Sequence, residues 1–468
     1  MIIDIKKINQ IFFNLEVEYS NAVGNKIGKI FGRGFFYGVS TFILHFIESF
    51  CNSSFKFKEP QLSYTGILFF GLTRNNQVVL NNISKRFNED EIIQITKKKH
   101  FPKWKVYAYS INHLRDTMRV YNNSTKDEQI IIKTYFYTFW ITFGTYKLME
   151  EMLDIYKPKV VVLANDHNTA QRSILEIANK RGIKTVYVQH ASVTEKFPPL
   201  SFTHSFLDGR ETLDKYLKTG SNKGAIYLSG GVRFDDIKPE SNTKDTNKSD
   251  CLIIGIAINQ LDNTELVKEL SIKLNGITID NKLVKIVLRP HPSSSSHTLY
   301  NWCILNNIGY SFSHKETSFD FLRDIDLLIS NESSIHLDAV MSRKPTLLYD
   351  FTGKQMLDWY GYERNGLVKK VNSFTEIIHI FENTKDLMPS DELVQYYVAS
   401  FKTKHEGKVS NIVAELIRDI LSNNTEFFDE KAGFTTVYED CSKSVKIFVE
   451  NYYNSPEDQV HWLSIKKL

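Results

Sequence analysis

Short apolar, mostly β-branched runs alternate along this chain with longer amphipathic stretches, and each run stops at a polar tip. In the first half the runs are TGILFFGLT (65–73), PKVVVLAND (158–166) and IKTVYVQH (183–190), with AIYLSGGVRFDD (225–236) closing the series. In the second half they are CLIIGIAIN (251–259), LVKIVL (283–288), Asp326 to Ile329 and Thr346 to Leu348. Runs this short, apolar at successive positions, fit strands buried on both faces, as in parallel sheets. Between them, helices are predicted over Thr134 to Tyr156, Thr169 to Lys180 (stopped by Gly182), Glu265 to Leu274 and Ile335 to Ser342. Strand and helix in alternation predict right-handed βαβ units, which bring the polar tips of each series to one sheet edge.

The polar, Ser- and Asn-rich segment Lys238 to Asp250 lacks apolar periodicity and reads as an interdomain linker. With 468 residues, the chain divides into a helical N-terminal extension (1–60), an N-terminal Rossmann-like domain (61–240), a C-terminal Rossmann-like domain (250–422) and a terminal segment (423–468). That last segment is rich in aromatic residues and is expected to pack back on the body. The predicted fold class is α/β, with two Rossmann-like domains and a cleft between them. FFYGVSTFILHFIESF (35–50) is too short and too polar, with His45 and Glu48, to span a bilayer. It reads as an amphipathic helix packed on the protein's own core. The alternative, given Lys6, Lys7, Lys26, Lys29 and Arg33 upstream, is peripheral contact with an anionic membrane surface.

Charge narrows the partners. Fifty-eight basic against 54 acidic side chains give no concentrated basic stripe, so nucleic acid is not expected as a partner. Four scattered cysteines form no CxxC pair and suggest neither a disulfide framework nor a zinc site. With no signal-peptide pattern, a cytoplasmic location is expected, or one at the inner face of the membrane.

Candidate chemistry sits at the strand tips. Arg289, Pro290, His291 and Pro292 follow one run, and Ser330, Asn331, Glu332, Ser333 and Ser334 follow another. A guanidinium and an imidazole suit a phosphate, and so do the N–H groups at the start of the helix after Ser334. Ser330, Ser333 and Ser334 also fit plain capping, and Asn331 and Glu332 fit a solvated loop. In the first half the tips are Asn165-Asp166-His167-Asn168 and Gln189-His190-Ala191-Ser192, with Arg74-Asn75-Asn76 as a further polar loop. Asp166 and His190 are the candidate general bases, although both also fit loop or cap hydrogen bonding. Asp324-Ile325-Asp326 spells DxD but precedes its strand, away from the edge where sites lie, so it reads as a strand-entry turn. His314 and His336 show no ligand spacing, no metal is expected, and the Ser293 to His297 run reads as a loop over the ligand.

The His291-Pro292 pair followed by Ser333-Ser334 resembles the HP and SS motifs of bacterial polysialyltransferases, of the Kdo transferases of capsule assembly, and of the CDP-glycerol polyol-phosphate transferases. The resemblance implies a GT-B glycosyltransferase whose C-terminal domain binds a nucleotide-activated sugar, CMP-Kdo or CMP-sialic acid. By it, His291, Pro292, Ser333 and Ser334 contact the donor. The N-terminal domain would bind a glycan or lipid-linked glycan acceptor of surface polysaccharide, capsule or lipopolysaccharide. No cofactor is implied beyond the nucleotide sugar. The stretch Glu332 to Ala339 is also similar to the S-G-G-I-Q-E-E-A pattern of UDP-N-acetylglucosamine 2-epimerases, which implies that Asp338 binds the ribose hydroxyls. The chain departs from these relatives where polysialyltransferases carry two acids before a glycine, having only Leu207-Asp208-Gly209. Polyol-phosphate transferases carry His-Gly where this chain has His190-Ala191. The alternatives are a CDP-glycerol or CDP-ribitol polyol-phosphate transferase, an epimerase-like isomerase, and a non-catalytic module.

Overall fold

The computed structural model describes residues 5–13, 34–96, 100–220, 224–237, 250–292, 297–354, 357–383, 387–422, 444–449 and 462–466. The expected linker, apart from its last residue, and most of the expected loop at 293–297 lie outside these residues.

Two separate sheets carry the fold. The first contains β1 (Ile67–Phe70), β2 (Ile92–Ile95), β3 (Val160–Leu163), β4 (Lys184–Val188), β5 (His204–Leu207) and β6 (Ala225–Leu228), all parallel, in the order β6-β5-β4-β3-β1-β2. The second contains β7 (Cys251–Ala257), β8 (Thr278–Ile279), β9 (Lys282–Arg289), β10 (Gly309–Tyr310), β11 (Leu327–Ser330), β12 (Thr346–Tyr349) and β13 (Lys369–Val371). Its order is β10-β9-β7-β11-β12-β13, parallel throughout except for β8, which lies antiparallel to β9. In both sheets the central strands are buried on both faces, as their unbroken apolar runs require: ILFF, VVVL and LLIS are wholly buried. β9 differs. Leu283 and Lys285 are exposed and Val287 half-buried while Val284, Ile286 and Leu288 are buried, so this strand buries one face fully, with β8 paired at Lys282 and Leu283 and β10 at Val287 and Leu288.

Helices cover the sheets. The helix Phe136–Tyr156 packs between Trp104–Asn112 and Thr169–Lys180, and a Cβ on Gly144 would meet the Val106 carbonyl oxygen at 1.8 Å, so only glycine allows that crossing. Gly182, φ +67°, ends the helix before β4, in the left-handed conformation that glycine adopts without a steric penalty. The expected loop at Arg74 is instead the first turn of the helix Arg74–Ser84, because the Thr73 hydroxyl accepts from the Asn76 N–H and caps it. The helix Val409–Ser422, placed by sequence with the second domain, returns to the first: Val413, Ala414, Leu416 and Ile417 belong to its core. The Asp235 carboxylate, in the 3-10 turn Val232–Asp236 after β6, accepts from the N–H groups of Val409 and Ser410 and fixes that return. Of the terminal segment, the described pieces are β14 (Ser444–Val449), parallel to β6, and β15 (Trp462–Lys466), antiparallel to β14. Among the described residues no helix is long and apolar enough to cross a membrane.

Candidate functional site

Strand register places the chemistry of the second sheet. Ala257 pairs with Arg289 on one side and with Ser330 on the other, so these three residues form a row at the carboxyl edge. Arg289 and Ser330 flank β7 and stand roughly 10 Å apart, twice the interstrand spacing. In the first sheet Leu163 pairs with Phe70 and with Tyr187, which aligns the exits of β1, β3 and β4. The two edges share one cavity of about 620 Å³. Arg289, His291, Pro292, Ser330, Ser333, Ser334 and Asp338 line it from the second domain, and Arg74, Asn75 and His190 from the first. Its basic side chains (Arg74, Arg233, Arg289, Arg323, Lys344) outnumber its acidic ones (Asp236, Asp320, Asp338), which favours an anionic ligand.

Arg289 is held rigidly. Its guanidinium donates to the Ser311 hydroxyl (2.7 Å) and the Glu316 carbonyl (3.0 Å) and lies over the Phe321 ring. Burial lowers its pKa, Glu316 opposes that and the like charge of Arg74 adds to it. Arg74 donates to the Ser313 carbonyl (2.9 Å), linking the domains, while the buried Ser313 hydroxyl has no partner among the described residues. His291 Nδ1 lies 3.3 Å from the Gln260 amide nitrogen, and burial lowers its pKa.

Of the three serines, only Ser333 bonds the start of the following helix. Ser330 Oγ donates to the Ala257 carbonyl (2.9 Å), Ser333 Oγ accepts at 3.5 Å from the Ile335 N–H, and Ser334 makes no side-chain cap bond. The helix they precede, Ile335–Met341, spans only seven residues. Asn331 and Glu332, expected as solvated loop residues, are buried: Asn331 donates to Asp262 (2.7 Å), and Glu332 accepts from the Tyr360 N–H (2.8 Å). They knit the strand exits together, and burial pushes Glu332 up to about 7. His336 is likewise structural, between Thr346 Oγ1 (2.6 Å) and the Asn331 carbonyl (3.0 Å). Asp326 accepts from the Ile253 N–H (2.8 Å) at the entry of β11, away from the cavity.

The two base candidates separate. Asp166 is 3% exposed, sits 3.4 Å from His167 Nδ1, and is not among the residues lining the cavity. His190 lines it, with Nδ1 unpartnered among the described residues. Burial, helped by the charges of His167 and Arg233, pushes its pKa down to about 3, contact with the Ala164 backbone opposing, so the imidazole is neutral at pH 7.

Sequence reasoning missed Arg233. It lies in the 3-10 turn after β6, its Nη1 2.9 Å from Asp208 Oδ2 and its Nε 3.6 Å from Asp338 Oδ1, stacked on Phe234. Asp208 follows β5 in the first domain and Asp338 lies on a helix of the second, so one buried guanidinium ties the two domains at the cavity wall. Asp338 also accepts from the Ser318 hydroxyl (3.2 Å). Burial pushes Asp208 up to about 6, with Arg233 opposing and Asp338 adding to the rise. The available signal was an arginine just after a Gly-Gly strand exit. Gly230 has φ +84°, and its Cβ would sit 2.0 Å from Ser400 Oγ, so the exit turn admits only glycine and delivers Arg233 inward.

Two parallel α/β sheets, their carboxyl edges facing one cleft lined from both, define a two-domain protein of GT-B architecture. No protein-family profile and no curated protein matches the chain. Solved structures with a similar backbone include S. aureus MnaA in a UDP co-structure, with 13% identity and a TM-score of 0.48 over 77% of this chain and 97% of that one. A putative UDP-N-acetylglucosamine 2-epimerase from Listeria monocytogenes gives 12% identity and a TM-score of 0.49 over 76% and 96%. The wall teichoic acid polymerase TagF, soaked with CDPG, gives 13% and 0.42 over 77% and 89%.

Proposed function

We propose that the chain is a glycosyltransferase that takes a sugar from a nucleotide-activated donor bound by the C-terminal domain and passes it to a glycan acceptor bound by the N-terminal domain. One observation carries this reading: Arg289, His291, Ser333, Ser334 and Asp338 from one domain and His190 from the other line a single cavity with an excess of basic side chains. In it, the Arg289 guanidinium takes the nucleotide phosphate as a charge-assisted donor and the His291 imidazole adds a ring N–H. Pro292 fixes the turn that presents His291. The Ser334 hydroxyl, which makes no cap bond, and the Ser333 hydroxyl, which accepts only a long bond from the Ile335 N–H, bond to phosphate or nucleoside, and Asp338 takes the ribose diol in exchange for Ser318 and Arg233.

His190 is the base. Its proton affinity is held down by burial and by the charges of His167 and Arg233. A bound donor phosphate opposes the second of these, so donor binding itself raises the basicity of the imidazole when an acceptor hydroxyl must lose its proton. Asp166 supports the same loop from behind, next to His167. Cytidine donors, CMP-Kdo or CMP-sialic acid, are the first to try, and surface polysaccharide, lipid-linked or free, is the acceptor class.

Thermal unfolding with CMP, CDP, UMP, UDP, GDP and ADP tests the reading, on wild type and on His291→Ala. Binding at 100 times Kd stabilises by about 2.7 kcal/mol. A CMP or CDP shift seen in the wild type and lost in the variant supports the donor site. No shift from any nucleotide sinks it. Donors then separate the chemistries: release of CMP from a CMP-sugar means attack at carbon, release of CMP from CDP-glycerol means attack at phosphorus, and isomerisation of UDP-GlcNAc without an acceptor means an epimerase.

A further inference from the structure

The loop that carries His190 is gripped by the other domain. Ser192 Oγ lies 2.5 Å from the Tyr362 hydroxyl, and Lys196 Nζ sits over the Trp359 ring, 4.4 Å from its centroid. Between these two contacts a single ammonium joins the chains. Lys215 Nζ, on the helix Arg210–Thr219, donates to the Val193 carbonyl (2.8 Å) and to the Tyr360 carbonyl (3.1 Å). Its third partner is the Glu211 carboxylate, so a lysine that is 3% exposed has a partner for each of its three N–H groups. Ser192, Val193 and Lys196 thus meet Tyr362, Tyr360 and Trp359 in turn, two loops running past each other in opposite senses across the domain boundary.

The same short segment reaches the donor side. The Tyr360 N–H donates to Glu332 (2.8 Å), the residue before Ser333 and Ser334. The Tyr362 ring meets His336 edge-on at 6.2 Å, and Tyr362 is fully buried, packed on Tyr360 and Tyr397. The Tyr397 hydroxyl fixes the turn between the two tyrosines by donating to the Gly361 carbonyl (2.8 Å). His190 is held less directly. Apart from a contact with the Ala164 backbone its ring relies on the path of the loop, Nδ1 being without a partner among the described residues. Gln189 ties the start of that loop to its own domain, donating to the Ala191 carbonyl (3.0 Å) and accepting from the Asp208 N–H (2.8 Å). The far side of the loop is tied to Tyr362 and Lys215. Neither of these, nor Ser192, is among the residues lining the cavity.

We infer that Tyr362 is a positioning residue for the proposed reaction: its hydroxyl, with Lys215 beside it, sets the His190 loop in register with the Glu332–Ser334 loop. Base and donor phosphate are then placed from one segment. The inference rests on His190 being the base, and a base displaced by about 1 Å loses on the order of 100-fold in rate.

Tyr362→Phe keeps the ring and its packing and removes one hydroxyl, and Ser192→Ala removes the other half of the same bond. Hydrogen exchange of amides 190–194 should quicken by about 10-fold in either variant, with β4 and the Ile335–Met341 helix unchanged. The nucleotide thermal shift should stay that of the wild type. In transfer assays kcat should fall by about 10- to 100-fold with the donor KM unchanged, and the double variant should be no slower than either single one. In a His190→Gln background Tyr362→Phe should cost nothing further, since it acts through His190. Unchanged exchange at 190–194 overturns the inference, and so does a rate loss that adds to that of His190→Gln or a weakened nucleotide shift. Absence of any nucleotide shift in the wild type sinks the donor-site reading instead, and the exchange measurement still decides whether Tyr362 sets the loop.

Discussion

Replacing Arg233 by methionine removes a buried charge while nearly keeping the volume, and the consequence is set by Asp208. That carboxylate is 1% exposed, and with the guanidinium 2.9 Å away it titrates at about 6. Without the guanidinium the folded-state value rises further, since burial and the Asp338 carboxylate still push it up. A carboxyl whose folded pKa is raised binds more protons folded than unfolded, so it lowers stability as pH rises between its unfolded and folded values. In the wild type that decline ends near pH 6. In the variant it continues, at about 1.4 kcal/mol per pH unit. The variant should therefore match the wild type to within a pH-independent packing change below pH 6, and above it lose up to about 1.4 kcal/mol more for each pH unit until its own raised value is passed. For a domain of this size that is about 3–6 °C of melting temperature per pH unit. Circular-dichroism melts of both proteins from pH 5.5 to 8.5 give the difference directly. A melting difference that does not change across this range would refute the reasoning. Adding Asp208→Asn to Arg233→Met should flatten the slope, because the amide does not titrate; a slope that survives would assign the effect to Asp338 or elsewhere.

Asp235→Ala leaves the first N–H groups of the Val409–Ser422 helix without their carboxylate, and loss of such a cap costs about 1–2 kcal/mol; faster amide exchange at 409–412 with unchanged exchange in β11 is the expected signature. Arg289→Lys loses the fork that holds Ser311 and Glu316 as well as the phosphate contact, so nucleotide affinity should fall by about 10- to 100-fold, read by calorimetry, while Arg323→Lys should leave it nearly unchanged. His190, with its folded pKa lowered to about 3, makes the protein less stable as pH falls from 6.5 towards 3; His190→Gln should melt with a shallower acid limb, and an identical limb would contradict a buried neutral imidazole. Donor binding should raise the His190 pKa, visible as a shifted titration of its ring carbon protons by NMR with CMP present, and no shift would remove it from the phosphate's neighbourhood.

The apolar runs alone gave eight strands, β1, β3, β4, β6, β7, β9, β11 and β12, and the edge at which they end, while β2, β5, β8, β10 and β13 came only with the structure. VVVL and LLIS can be buried only on both faces of a sheet, and a parallel, right-handed crossover leaves no choice about where Asn165 to Asn168, Gln189 to Ser192 and Arg289 to Pro292 emerge. The sequence also carried the caps and turns that act over three or four residues, such as Gly182 after its helix. What it could not carry were distances between residues far apart in the chain. That His190 faces the cleft and Asp166 is buried behind it depends on how each exit loop packs, which periodicity does not encode. That Asn331 and Glu332 are buried follows from Asp262 and Tyr360, 28 or more positions away. Arg233 became a link between domains only when Asp208 and Asp338, 130 positions apart, closed on it. The helix Val409–Ser422 joined the first core through Asp235, 174 positions earlier. Local sequence sets local conformation because backbone sterics and capping are short-ranged, whereas burial and ion pairing depend on which surfaces meet, and that was decided when the two domains packed together.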